Sequence, residues 1–429
     1  MTTPYQQNAK TPAGPIASTP AGATWGGFRG LLKQYSGAAA GYSLRKIGNG
    51  PVVRLRRASD NAEKDFYAGE VVAGTAGAEE LTNGDFSNGS TGWSLTGFTI
   101  VGGQAVADAG GGLDLLSQFT LDDQQAGDAI VVTFDVVTCS DFTNAGLQIN
   151  STFLKSFSNM QITSTGTYSL IYYYGSKVNN RFRFYATNSA TLTVDNVSVK
   201  PYVLSAAEAW AANGKDAYYS QTAESAFCTT WYDQSASGNN ATQATAAAQP
   251  LLIRAGVTNT AGGKAALEFD GVDDYLDITT NPLTVLNNLM VSIVAKPLPS
   301  SGHFGVTLSE TAERIYVPFI DSSNLYISYD DSVSKIDDGA PTNDQQLITL
   351  SVDASTASGF KNGAAFSVTP TATAETAAVV ETTNVPQIGA YGGGSNWDGT
   401  FQEVIIYASD QSANRTGIET NINDHYGIY

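Results

Sequence analysis

Apolar and polar residues alternate with a period of two along most of this chain, in short runs cut by Gly, Asn, Asp and Ser. That pattern predicts strands joined by turns. Runs lie at 42–47 (YSLRKI) and 51–57 (PVVRLRR), then at 97–107, 129–137, 144–150, 165–175, 180–188 and 191–200. They resume from 227 and continue at 262–278, 287–297, 314–320, 324–330, 346–353, 366–370 and 397–408. Within 81–200 they recur at about the 8 to 12 residue spacing of a sandwich of two antiparallel sheets, a jelly roll. Helical character is confined to 28–39, where Gly37 is a stop signal, to the Ala/Glu-rich 201–226, and to the tail 416–429. The small-residue stretch 69–80 (GEVVAGTAGAEE) has little to pack and marks a boundary.

Composition narrows the picture. A chain of 429 residues has room for two or three hydrophobic cores. Only 14% of residues are charged and Gly numbers 43, which suits short strands and many turns. With 22 Lys and Arg against 40 Asp and Glu, the net charge of −18 argues against nucleic acid as a partner. No run of 18 apolar residues exists, so no membrane insertion is expected. The Pro/Ala/Gly/Thr-rich residues 1–30 lack the charged start and apolar middle of a signal peptide and predict an extended arm. Cys139 and Cys228 cannot make a disulfide framework, and His303 and His425 are too few for a zinc site.

Several side chains could carry chemistry. In VVRLRR, alternation puts Arg54 and Arg56 on one face and Arg57 on the other, where paired, structural arginines are expected. Trp231, Tyr232, Asp233 and Gln234 read as core aromatics followed by side chains that organise the turn after them. Asp270, Asp273, Asp274 and Asp277 could offer calcium its oxygen ligands, although turns are acidic for backbone reasons too. Calcium there is the one cofactor to consider. Sugar binding needs exposed flat aromatics flanked by polar groups. Trp93, Tyr172, Tyr174, Phe182 and Phe184 are candidates in 81–200, of which at least half must face the core.

Certain phrases resemble known families. NGDFS with GW (83–93) and DNVSV (195–199) resemble the first and last strands of the carbohydrate-binding modules attached to xylanases and glucanases. FDGVDDYLDI (269–278), SGFKNGAAFSV (358–368) and GTFQEVIIY (399–407) look like pieces of the concanavalin A-like lectin and glucanase fold. These resemblances imply an all-β protein of two jelly-roll sandwiches, one inserted in the other, with an extended N-terminal arm and a few short helices. The implied division is 1–30 as arm, 31–78 with 201–429 as the outer sandwich, and 79–200 as the insertion.

The outer segments are also similar, in the same order, to the catalytic domain of the arabinofuranosidase B family, which implies a retaining glycosidase with two carboxylates about 5 to 5.5 Å apart. That family's acid/base Asp precedes the GTF strand, where this chain has Gly392, Gly393, Gly394, Ser395 and Asn396. The carboxylate is missing, so no hydrolysis is expected. An enzyme reading would have to use Asp321, near the expected nucleophile, with Asp398 or Glu403. Tyr391, Asn396 and Trp397 fall on the family's sugar-binding side and are glycan-binding candidates.

The combination of YSLRK with RRASDNAE, WYDQSASGNNATQ and a lectin-like sandwich resembles virion proteins of tailed bacteriophages, such as tail fibres, head fibres and decoration proteins. That resemblance implies a protein made in the host bacterial cytoplasm and displayed on the virion surface. It would be anchored to other virion proteins by its N-terminal arm and would bind bacterial surface polysaccharide. It also implies a homo-oligomer such as a trimer, without coiled-coil heptads to support it. A purely structural decoration protein is the alternative that the residues leave open.

Overall fold

The computed structural model describes residues 30–108, 110, 112–118, 128–149, 155–160, 162–173, 182–212, 217–218, 225–298, 303–309, 315–320, 324–329, 335–373 and 385–429. The arm before Gly30, Tyr174 and Asp321 lie outside the described residues. The protein is all-β, with two sandwiches, one inserted in the other, and two separate main cores. One core is drawn from residues between 40 and 71 and between 207 and 406, the other from residues between 81 and 199.

In the outer sandwich the strand Asp398–Tyr407 is central. Leu289–Pro297 runs along one edge, while the other edge is shared by Leu267–Asp270 and Ala38–Ser43. Gln346–Val352 and Thr356–Lys361 extend this sheet beyond Leu289–Pro297. The facing strands run from Glu63–Phe66 through Val53–Arg57, Ala226–Trp231, Ala241–Thr242, Leu276–Ile278 and Gln387–Ile388. They continue through His303–Ser309 and Ile315–Ile320 to Leu325–Tyr329. Leu251–Arg254 pairs with a strand of each sheet and helps close the ring.

Alternation along a strand predicts one wet face, yet Gln346–Val352 is buried at every position. The C-terminal helix Arg415–Tyr426 supplies the reason. Its Ile418, Ile422 and Tyr426 cover the outer face of the sheet, packing with Met290, Val294, Leu347, Ile405 and Tyr407.

The insertion has a five-stranded sheet, in the order Lys155–Ser156, Ala145–Ile149, Phe182–Ala186, Asp114–Gln118 and Ser94–Thr96. It faces a seven-stranded sheet centred on Ala129–Cys139 and Leu192–Val203. That larger sheet takes one short strand from each flank, because Thr75–Ala76 pairs with Tyr202 and Val203 and Ala217–Tyr218 pairs with Tyr172 and Tyr173.

Where the chain re-enters the outer sandwich, Ser205 and Glu208 form a reciprocal cap on the helix Ala206–Ala212. The Ser205 hydroxyl accepts from the Glu208 N–H, and the Glu208 carboxylate accepts from the Ser205 N–H. The same fully buried carboxylate accepts from the N–H groups of Gly74 and Thr258, tying both crossings to one point.

Two local expectations are corrected. The first helix spans only Leu31–Gln34, since Gly37 adopts φ 92° and Ala38 already pairs with Tyr407. The first strand is Ala38–Ser43 and stops before 44–47, where the Gln234 side chain replaces a sheet neighbour. Its carbonyl accepts from Ile47 and Gly48 and its amide donates to Ser43 and Arg45. Asp233 beside it accepts from the N–H groups of Gly41, Ser235 and Asn239. Trp231 is fully buried against Tyr42, so this motif joins two pieces of chain nearly 200 residues apart. Arg54, Arg56 and Arg57 are all engaged, with Asp65, with Gln249 and Asn61, and with Asp60 respectively.

Candidate functional site

Two turns meet at one end of the outer sandwich. The first follows Gln387–Ile388. Gly389, at φ 91°, passes so close to Phe269 that a Cβ would lie 2.5 Å from its ring. Tyr391 and Gly394 then exchange two backbone hydrogen bonds of 2.9 Å across Gly392 and Gly393. Both glycines have positive φ, 60° and 72°, as a two-residue hairpin turn of this hand requires. Gln387 tethers the turn, accepting from Gly393 N–H at 3.0 Å and donating to Asp277 at 2.9 Å.

The turn presents Tyr391, half-buried, stacked on Phe304 with centroids 5.1 Å apart and planes at 28°. Tyr316 meets Tyr391 edge-on at 5.4 Å and Phe304 at 4.8 Å. Three rings from three strands or turns thus form one aromatic patch.

The second turn is 270–274. Asp270 Oδ1 accepts from the N–H groups of Val272 and Asp273, and Asp274 Oδ2 accepts from Asp270 N–H at 3.0 Å. One carboxylate oxygen from each of Asp270, Asp273 and Asp274 lies within 4.8 Å of the others. Asp274 is 5% exposed, and burial, helped by Asp270, pushes its carboxyl up to about 7. Strand register sets Asp398 opposite Asp270, and burial raises its pKa too. Asn396 donates to the Asp274 carbonyl at 3.3 Å, which locks the two turns together. Asp270, Asp273 and Asp274 are the residues that could hold a hard divalent cation such as calcium, whose ligands are carboxylate and carbonyl oxygens.

The structure divides the expected residues. Tyr391 is available to a ligand. Trp397 is fully buried against Phe401, and Asn396 is 5% exposed with its amide spent on Asp274, so neither can stack on or grip a sugar. In the insertion, Trp93 lies in the core, donating its indole N–H to the Asn83 carbonyl at 3.0 Å, and Tyr172, Phe182 and Phe184 belong to the same core. These aromatics point inward because their side of the sheet is the face that the other sheet covers.

Of the carboxylates that an enzyme reading would pair, Asp321 lies outside the described residues, Asp398 faces Asp270 across the strand pair, and Glu403 is committed elsewhere. Glu403 is fully buried in a two-pronged ion pair with Arg45, at 2.6 and 2.8 Å, and accepts from Ser43 and Tyr426. It holds the outer sandwich to the C-terminal helix.

Phe304 and Tyr316 went unnoticed in the sequence, since HFGV and RIYV read only as strands. No local signal marks them, and they reach Tyr391 through the pairing of His303–Ser309 with Ile315–Ile320. His303, on the same strand, is a further neighbour, with its ring nitrogen against the Asn396 carbonyl.

No protein-family model matches the chain, and no curated protein matches it. Among solved structures it is similar to domain 4 of a GH43 extracellular arabinanase from Geobacillus stearothermophilus, in complex with arabinotriose, at 14% identity and a TM-score of 0.25, over 42% of this chain and 82% of that one. Trypanosoma rangeli sialidase in complex with the inhibitor DANA aligns at 13% identity and a TM-score of 0.31, over 77% of this chain and 62% of the sialidase. The N-terminal CBM22-1-CBM22-2 tandem domain of Paenibacillus barcinonensis Xyn10C aligns at 10% identity and a TM-score of 0.20, over 79% and 99%.

Proposed function

We propose that this chain is a non-catalytic glycan-binding protein whose outer sandwich holds a sugar ring against Tyr391, beside the carboxylates of Asp270, Asp273 and Asp274. The observation that carries the proposal is the half-exposed Tyr391 ring, stacked on Phe304 and braced by Tyr316 on a turn that Gln387 tethers. A sugar's C–H face needs such a fixed flat surface, and its hydroxyls need acceptors close by. The adjacent carboxylates supply acceptors directly or through a bound calcium ion. Binding is favoured over hydrolysis because Gly392, Gly393, Gly394, Ser395 and Asn396 offer no carboxylate in the turn where the resembled glycosidases carry their acid, and Glu403 is committed to Arg45.

The setting proposed is the surface of a phage particle, with residues 1–30 attaching the chain to other virion proteins and bacterial surface polysaccharide as the target. Its support is the resemblance carried by YSLRK, RRASDNAE and WYDQSASGNNATQ. Many copies on one particle would let weak sites act together through effective concentration.

A glycan array on the full chain, with and without calcium, followed by mass spectrometry of the bound sugars, tests the reading. Binding without cleavage is expected, and Tyr391→Ala should weaken it about three- to tenfold, the worth of one aromatic contact. Released sugar would refute the non-catalytic assignment, and unchanged binding by the variant would remove Tyr391 from the site.

A further inference from the structure

A cleft of about 500 Å³ opens on the outer sandwich well away in sequence from the Tyr391 turn, lined by Leu44, Arg45, Lys46, Lys264, His425 and Tyr426 and by residues 68–69 and 72–75. It adjoins a second cavity of about 420 Å³ that shares Arg45, Lys46 and His425 and adds Asn421 and Asp424. In a chain of net charge −18, the first cavity is lined by three cationic side chains and by no carboxylate.

The charge balance can be followed residue by residue. Arg45 is neutralised from below by Glu403. Lys46 and Lys264 are exposed, and among the described residues neither forms an ion pair. Asp424 lines the second cavity, and Glu70, between the lining residues Gly69 and Val72, accepts from the Tyr67 N–H. His425, edge-on to Tyr426 at 4.6 Å, is held well below its ordinary pKa, at about 4, by burial and then by Arg45, with Lys264 adding to the effect and Glu403 opposing it. The lining also has an apolar stretch, with Val72 51% exposed beside Ala73 and Gly74.

Two ammonium groups without ion pairs in one cleft with a small apolar stretch match an anionic group mounted on a ring. We propose that this cleft binds one carboxylate- or sulfate-bearing monosaccharide unit, with Lys46 and Lys264 on the anion and Val72 and Ala73 against the ring. The acidic remainder of the surface repels a long polyanion, so the unit recognised is a chain end or a side branch. This site is independent of the Tyr391 turn.

The two histidines make the test direct. Histidine-detected NMR on the full chain, titrated with glucuronic acid and separately with galactose 6-sulfate, should move the His425 signals and raise its pKa, while His303 stays as a reference. Lys46→Ala combined with Lys264→Ala should weaken binding at least about tenfold with an unchanged melting temperature, because both side chains are exposed. Tyr391→Ala should leave these titrations unaltered, so the two sites fail or stand separately. Still His425 signals, glucose binding as well as glucuronic acid, or inorganic phosphate binding equally well would each overturn the proposal.

Discussion

Replacing Asp274 by Asn isolates the cost of crowding carboxylates at the 270–274 turn. In the folded protein this carboxyl ionises at about 7 against an ordinary 3.8, chiefly because it is buried and secondly because Asp270 is beside it. The folded state therefore holds the proton more tightly than the unfolded chain, and stability falls as pH rises from about 4 to about 7. At about 1.4 kcal/mol per tenfold change in the ionisation constant, the ceiling is about 4 kcal/mol, and local rearrangement will bring the measured cost nearer 2 kcal/mol. Asn keeps an oxygen to accept the Asp270 N–H now bound by Asp274. Asp274→Asn should accordingly match the wild type at pH about 4 and be more stable at pH about 8 by about 2 kcal/mol, or about 4 °C or more in melting temperature for a domain of this size. Calcium should act the other way. At ten times a millimolar-range Kd it should stabilise the wild type at pH about 8 by about 1.4 kcal/mol, and the variant much less. Differential scanning calorimetry of both proteins at the two pH values, with and without calcium, reads all of this. A wild-type melting temperature flat between pH 4 and 8, or a variant destabilised equally at both, would refute the reasoning.

Other outcomes follow from the same structure. Glu403→Gln leaves Arg45 without its counter-charge in a buried site and should cost about 3–5 kcal/mol by urea denaturation, with a loss below about 1 kcal/mol contradicting a structural role for the pair. Trp397→Ala should cost about 3–5 kcal/mol of stability, as expected of a core aromatic, whereas a variant that melted normally but lost sugar binding would return Trp397 to the surface. A thiol reagent should modify Cys139 alone in the native protein and both cysteines in urea, because Cys228 is fully buried and burial pushes its thiol pKa far up. Native labelling of Cys228 would show that this part of the core opens readily.

How much of this was legible beforehand depends on the distance over which each feature is decided. The two-residue turn at Gly392 and Gly393 and the side-chain-to-backbone bonds of the 270–274 turn are set by neighbours a few residues away, and their residue types announce them. The period of two likewise announced an all-β protein. It did not say which face of each strand would be wet. Trp93, Tyr172 and Trp397 stood with Tyr391 among the glycan-binding candidates and turned out to be core.

Alternation by itself establishes that a strand has two different faces, because successive side chains must point to opposite sides. What covers each face is decided by elements far along the chain: a C-terminal helix that covers the outer face of the sheet holding Gln346–Val352 while the sandwich core takes the inner one, Phe304 and Tyr316 brought under Tyr391, and Glu403 drawn to Arg45 across 358 residues. The sequence determined the strands, the turns and the acidic balance of the chain. Only the tertiary structure decided which aromatics face solvent and which side chains line the cleft around Arg45, since both depend on contacts that no local pattern encodes.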